Sequence, residues 1–226
     1  VPAPIPLVLA SASPARRETL TAAGITPYVL VSHVDEDAAV AEATAVNGRL
    51  APEDVALLLA RAKCEAVAHV LATDGGPADA PADALVLGCD SVLELDGEAH
   101  GKPTDSAEAV ARWRRMRGRS GVLHSGHWLV DDRDPADGGT GATIGAVSST
   151  TVHFADLSDA EIEAYVATGE PLRVAGAFTI DGLGGAFVAS IEGDHHTVVG
   201  LSLPLLRDLL RDVGVGWFEL VGPPDA

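Results

Sequence analysis

Apolar residues along this chain fall into short unbroken runs and amphipathic stretches, separated by joints rich in Gly, Pro and Asp. After a proline-rich lead-in at Val1–Pro6, Leu7–Ala10 reads as a buried strand. Ser13 and Pro14 then open a helix as N-cap and first helical residue, and Gly24 closes it. Pro27–Val34 predicts a second strand and Val40–Ala51 a loose alanine-rich excursion. Pro52–Leu71 has helical periodicity, with Val55, Leu58, Leu59, Ala62, Ala66 and Val67 on one face. Thr73–Asp83 reads as a low-complexity loop insertion.

Leu85–Leu87 shows no polar alternation, which suits a strand covered on both faces. It runs into Gly88-Cys89-Asp90-Ser91. Val92, Leu93 and Leu95 resume an extended pattern up to an Asp96-Gly97 turn, and the return arm brings Gly101-Lys102-Pro103 back toward Asp90. Thr104–Glu108 opens a helix that ends before Gly118; its acids lead and its arginines trail, complementing the macrodipole. Gly121–Val130 is a strand, Asp131–Gly145 a mobile insertion, and Ala146–Leu157 a long strand. Ser158–Glu161 is a capping box, with Leu157 and Ile162 as its hydrophobic staple and Gly169 as the stop. Arg173–Ile180, Gly185–Ile191 and Thr197–Gly200 predict three short strands, and Leu203–Val213 a last amphipathic helix. The alternation defines an α/β class with a mixed sheet and no internal repeat.

Composition narrows the function. The 226 residues suffice for one large domain or two small ones. A formal net charge of −18 argues against a nucleic-acid partner, and a polyanionic small substrate would need a locally basic pocket. Cys64 and Cys89 make no disulfide framework, which fits a reducing compartment. Ile5–Ala10 is too short to span a membrane and lacks a basic flank, so neither a membrane segment nor a signal peptide is expected, and the cytoplasm is the expected location.

Of the 15 basic residues only Lys63 and Lys102 are lysine, so the chain otherwise fills basic positions with arginine. A lysine kept against that bias suggests a site needing a compact ammonium rather than a planar fork. The hairpin holds Asp90 and Lys102 close enough for a joint site or for an ordinary surface ion pair. The helix start at Ser11, Ser13, Arg16 and Arg17 is a ready anion site, although a capped helix with exposed arginines reads the same way. Asp35, Glu36 and Asp37 follow a strand and could gather a hard cation or simply solvate a loop. His124 and His127 have no cysteine or other ligand at zinc spacing.

In order along the chain, these pieces resemble the Maf family of nucleoside triphosphate pyrophosphatases. The resemblance rests on Leu-Ala-Ser-Ala-Ser-Pro-Ala-Arg-Arg (9–17), Val-Asp-Glu (34–36), Leu-Ala-Arg-Ala-Lys (59–63), Gly-Cys-Asp-Ser-Val (88–92) and Gly-Lys-Pro (101–103). Tyr165, Gly-Glu-Pro (169–171), Ala-Gly-Ala-Phe (175–178) and Val-Val-Gly-Leu-Ser-Leu-Pro (198–204) extend it to nearly the whole chain, read as one domain over residues 1–226. It implies an elongated, twisted mixed sheet like that of the inosine-triphosphate pyrophosphatases, with two lobes flanking a cleft. The implied reaction is hydrolysis of a nucleoside triphosphate to the monophosphate and pyrophosphate with Mg²⁺ or Mn²⁺, a house-cleaning role that can extend to modified nucleotides. Asp90 falls on the general-base position, and Ser11, Ser13, Arg16, Lys63 and Lys102 on substrate-binding positions. Glu36, with Asp90, falls where the metal would be held. A homodimer is among the assemblies open to such a chain.

The departures concern the base. Ala15 stands where one subgroup has arginine and another tryptophan, which leaves open whether Arg17 substitutes. Ser91 replaces threonine or glutamine, and Asp181 replaces glutamine or glutamate. These positions match neither the dTTP/UTP type nor the 7-methyl-GTP type, and the usual Ser-Gly-x-x-His stretch becomes Arg117–Gly121. Two other functions compete. One is a nucleotide-binding regulator of septum formation, against which the retention of Asp90 and both lysines argues. The other is a zinc hydrolase built on His124, His127, His195 and His196, which the sequence does not group.

Overall fold

The computed structural model describes residues 3–74 and 76–222. Residues 1 and 2 of the lead-in, residue 75 of the first insertion and residues 223–226 lie outside the described residues. The organising element is β3 (Leu85–Leu95), eleven residues buried at all but two positions. Among the described residues it centres a seven-stranded mixed sheet. On one side it pairs in parallel with β1 (Leu7–Leu9), which pairs in parallel with β2 (Tyr28–Val29). The hairpin predicted at Asp96-Gly97 is present, and returns as β4 (Glu98–His100). On the other side lie the antiparallel strands β5 (Ser120–Asp131), β6 (Thr143–Phe154) and β7 (Val188–Glu192).

Helices cover both faces. They are α1 (Pro14–Ala22), α2 (Glu36–Asn47), α3 (Pro52–Asp74), α4 (Ser106–Met116), α5 (Asp159–Ala167), α6 (His195–Val199) and α7 (Leu203–Asp212). None of them is long and apolar enough to cross a membrane. Position along β3 divides the core on the face turned away from α3. Leu85, Leu87 and Cys89 pack with Leu20, Leu206, Leu209 and Leu210, whereas Leu93 and Leu95 pack with Trp113, Phe154, Ile162 and Tyr165. One long strand thus joins two apolar clusters and carries Asp90 and Ser91 between them.

The caps of α1 and α5 form as predicted, with the Ser158 box complete in both directions and Leu157 and Ile162 buried together; α4 opens within Thr104–Glu108, where Asp105 caps it. Other segments differ. The excursion at Val40–Ala51 is largely helix α2: Asp35 caps it, Glu36 and Asp37 sit in its first turn, and Gly48 ends it at φ 79°. Its alanines favour helix, and it has no buried residue, so no amphipathic stripe marks it. The second strand shrinks to two residues.

Helix α3 runs on to Asp74, and its buried face turns to Ala56, Leu59, Ala60, Cys64 and Val67. The reason lies beneath it. A Cβ on Gly88 would stand 2.3 Å from the Ala60 carbonyl oxygen, and one on Gly126 2.3 Å from that of Ala56, so small residues must face the sheet. The Asp131–Gly145 insertion is stapled rather than loose: the buried Asp131 carboxylate accepts from Arg133 and from the backbone and hydroxyl of Thr140. Of the three predicted late strands only Val188–Glu192 forms. Glu170–Arg173, Ala175–Ala177 and Leu183–Phe187 are 3-10 turns, and Thr197 lies in α6 because Asp194 caps the amides of His196 and Thr197.

Candidate active site

The site arises from an interruption in the ladder. Leu85–Leu87 pair with β1 and Leu93–Leu95 with β4, so on that side Gly88–Val92 have no strand partner. The result is a notch in the sheet edge. The chain leaving β1 enters it from one bank as Ala10–Ser13, and the chain leaving β4 enters from the other as Gly101 and Lys102. Alternation sends Asp90 toward the face covered by α3 and Ser91 toward the opposite face.

Lys63 reaches Asp90 from α3. Its Nζ lies 2.5 Å from Asp90 Oδ1 and 2.8 Å from Glu36 Oε1, with only 13% and 11% of the Lys63 and Asp90 side chains exposed. Burial raises the Asp90 carboxyl above its ordinary value, and the Lys63 and Arg16 cations offset only part of that rise. The three-acid run is thereby divided in role: Asp35 caps α2, and Glu36 at its first position shares the ammonium.

Arg16 comes from the opposite face and is held on every nitrogen. Nε donates to the Gly200 carbonyl at 2.8 Å, Nη1 to Cys89 O at 2.8 Å and Ser11 Oγ at 3.0 Å, and Nη2 to Ser91 Oγ at 3.1 Å. Buried to this extent, it serves first as a clamp that satisfies the free Cys89 carbonyl of the notch and fixes the Ser11 turn. Ser11 Oγ accepts the Ser13 amide, and Ser13 Oγ caps the Arg16 amide. Arg17 is exposed.

Lys102 is exposed and follows a fixed point. The Gly101 carbonyl accepts from Arg112 Nη1 at 2.5 Å and from the Gly176 amide at 3.1 Å. Arg112 also pairs with Glu108. The helix arginines read from sequence as macrodipole partners therefore include one with another task. The signal was present, since Arg112 falls at the second position of the i, i+3, i+4, i+7 stripe Ala109, Arg112, Trp113, Met116, all buried.

The three base-discriminating positions divide. Ala15 and Asp181 line one cavity of ≈ 320 Å³, together with His195, His196, Val199 and Leu203. Ser91 does not line it and is bonded instead to Arg16 and, at 2.7 Å, to Ser125 Oγ. The four histidines of the zinc reading do not assemble. His127 donates from Nδ1 to the Ser125 carbonyl and accepts the Ser202 amide at Nε2, and burial pushes its pKa down to about 4. His124 turns instead to Glu94 and Ser149.

An acid held high in its range and flanked by Lys63 and Arg16 marks this break in a mixed α/β sheet as the candidate site. The comparisons with known proteins give the chain its family. The Maf-like protein family model matches residues 6–213, and the chain belongs to this family. A nucleoside triphosphate pyrophosphatase of Leifsonia xyli is 55% identical over 95% of both chains. One of Salinispora tropica is 59% identical over 94% of this chain and 85% of its own. A solved nucleoside-triphosphatase / dITP/XTP pyrophosphatase of Mycobacterium abscessus matches 93% of this chain and 96% of its own at 13% identity and TM-score 0.38, a likeness too distant to bear on function.

Proposed function

We propose that this chain, acting as a single domain, hydrolyses a nucleoside triphosphate between the α- and β-phosphorus atoms, releasing the monophosphate and pyrophosphate. The observation that carries this reading is the Lys63 ammonium bridging Asp90 and Glu36 beside the notch. The names of the relatives agree with it. The triphosphate lies in the notch, between the Ser11–Ser13 turn at the start of α1 and Lys102. Backbone amides and the α1 dipole face it from one bank, and the Lys102 ammonium from the other.

Asp90 acts as the base that draws the proton from an attacking water, and its raised pKa improves the match between base and reaction. Lys63 moves with its charge between the carboxylates and the incoming phosphates. Arg16 works as a positioning residue, since its hydrogen bonds hold Cys89 and Ser91 on either side of Asp90.

Two carboxylates sharing one ammonium already show a demand for positive charge, and hard oxygen donors suit Mg²⁺ or Mn²⁺. Glu36 and Asp90 would hold such an ion, which supplies neutralisation of charge on the phosphoryl oxygens. The cavity at Ala15 and Asp181 receives the base; with alanine on one wall and a short carboxylate on the other, it has room for a modified ring. The test is a panel of standard and modified nucleotides with Mg²⁺ or Mn²⁺, with products resolved by chromatography. Monophosphate with pyrophosphate is expected, and orthophosphate with a diphosphate would overturn the reading.

A further inference from the structure

His124 lies on β5 opposite Val92 of β3 and Ser149 of β6, with 8% of its side chain exposed. Its ring nitrogens have different partners: Nδ1 is 2.7 Å from Ser149 Oγ, and Nε2 is 2.9 Å from Glu94 Oε2. A second carboxylate, Glu53 in the first turn of α3, closes the group, and one donor atom from each of the three residues lies within 4.8 Å of the others. Among the described residues the imidazole is the sole ion-pair partner of Glu94. Glu94 shares a face of β3 with Asp90 but stands four residues further along, ~13 Å at the strand rise. The cluster is therefore separate from the notch.

We propose that Glu53, Glu94 and His124 form a second site, for a transition-metal dication of the zinc type, which ties the start of α3 to strands β3 and β5. The donor chemistry selects the ion. An imidazole with two carboxylates suits Zn²⁺, Co²⁺ or Mn²⁺, whereas Mg²⁺ and Ca²⁺ take oxygen ligands. Ser149 supplies the outer hydrogen bond that fixes the ring of a ligating histidine. Without metal, Nε2–H donates to Glu94. With metal, the Nε2 lone pair ligates, the ring proton resides on Nδ1, and the exposed Ser149 hydroxyl rotates to accept it, so a neutral ring loses no proton overall. Ligand atoms around an ion with 2.0–2.1 Å bonds stand ~3.3 Å apart. The exposed Glu53 side chain is free to swing in by that difference. Three protein ligands leave a position open to water.

The test uses the full chain, stripped with chelator and free of nucleotide, titrated calorimetrically with Zn²⁺ and followed in the visible with Co²⁺. One Zn²⁺ per chain is expected, along with a Co²⁺ absorption band and a rise in Tm of several degrees that the same concentration of Mg²⁺ does not give. E94Q and H124A should abolish binding, E53Q should weaken it by about tenfold or more, and E36Q should leave it intact. Glu53 is exposed and E53Q keeps side-chain size, so this variant decides the question even where H124A fails to fold. Metal-stripped E53Q should also keep the wild-type turnover of nucleotide with Mg²⁺. No Zn²⁺ bound by the wild-type chain, or Zn²⁺ bound equally by wild type, E53Q and E94Q, would overturn the proposal. Neither result touches the assignment of the notch.

Discussion

Lys63 donates to Asp90 at 2.5 Å while standing 2.8 Å from Glu36, so a single ammonium balances two carboxylates at the mouth of the notch. The two acids differ in surroundings. Asp90 is nearly covered, and half of the Glu36 side chain is in solvent. Water screens the outer contact far more than the inner one.

Asp90→Asn should fold with an unchanged Tm, still bind nucleotide, and lose turnover by something on the order of 10²–10⁴-fold, the usual contribution of a placed base. More than about a tenth of wild-type turnover, a barrier change under ~1.4 kcal/mol, would remove Asp90 from the mechanism.

Lys63→Met should move the Asp90 carboxyl further up. Burial already raises it, and Lys63 is the largest influence lowering it. Carboxyl NMR titration of the two proteins checks the sign, because an unmoved or lowered Asp90 would break the proposed coupling.

Lys102→Ala should lose activity by roughly 10²-fold, the scale of one transition-state charge partner. Arg114→Ala, which removes exposed pairs to Asp159 and Glu163, should leave turnover nearly unchanged. Similar losses in both would mean that net charge, and not placement, governs the rate.

Arg112→Ala should act through Lys102. It frees the Gly101 carbonyl and is expected to destabilise by about 1–3 kcal/mol. KM should rise more than kcat falls, with the acid limb of the pH profile unmoved; a shifted limb would place Arg112 in contact with the reacting groups instead.

His127 gives a pH signature. Its folded pKa of about 4 lies below the ordinary 6.5, so between those values the unfolded chain binds a proton that the folded chain refuses. Its contribution is complete above pH 6.5 and is lost as pH falls toward 4, by an amount on the order of 3 kcal/mol at most. Thermal melts from pH 7 to 4 should show the decline, and histidine NMR should find one ring still neutral at pH 5.

Much of this was legible in the residues. Runs such as Leu85–Leu87 and caps such as Ser13 and Ser158 are local signals, and the structure keeps them. So is the Asp96-Gly97 turn, which returns Lys102 toward the notch. What did not show was set by distant partners. The buried face of α3 follows from Gly88 and Gly126, far away in sequence. Helix α2 buries nothing, and so leaves no stripe to read. Arg16 carries the right residue type for a phosphate ligand, yet its engagement with Gly200 and Cys89 depends on contacts 184 and 73 residues away. His124 looked like half of a pair with His127, but the two bond differently, and its neighbours come from other elements.

Helix α3 rests on bare backbone at two points, Ala56 over Gly126 and Ala60 over Gly88. Two seats along one axis act as a keyway: they fix the angle of the helix about its own axis, because any turn would bring side chains larger than alanine onto Gly88 and Gly126. Lys63 and Glu53 are ten residues apart, about 80° around that axis at 3.6 residues per turn. One keyed angle therefore aims both side chains at once, Lys63 at Asp90 and Glu53 at Glu94 and His124, and two glycines on neighbouring strands do the aiming.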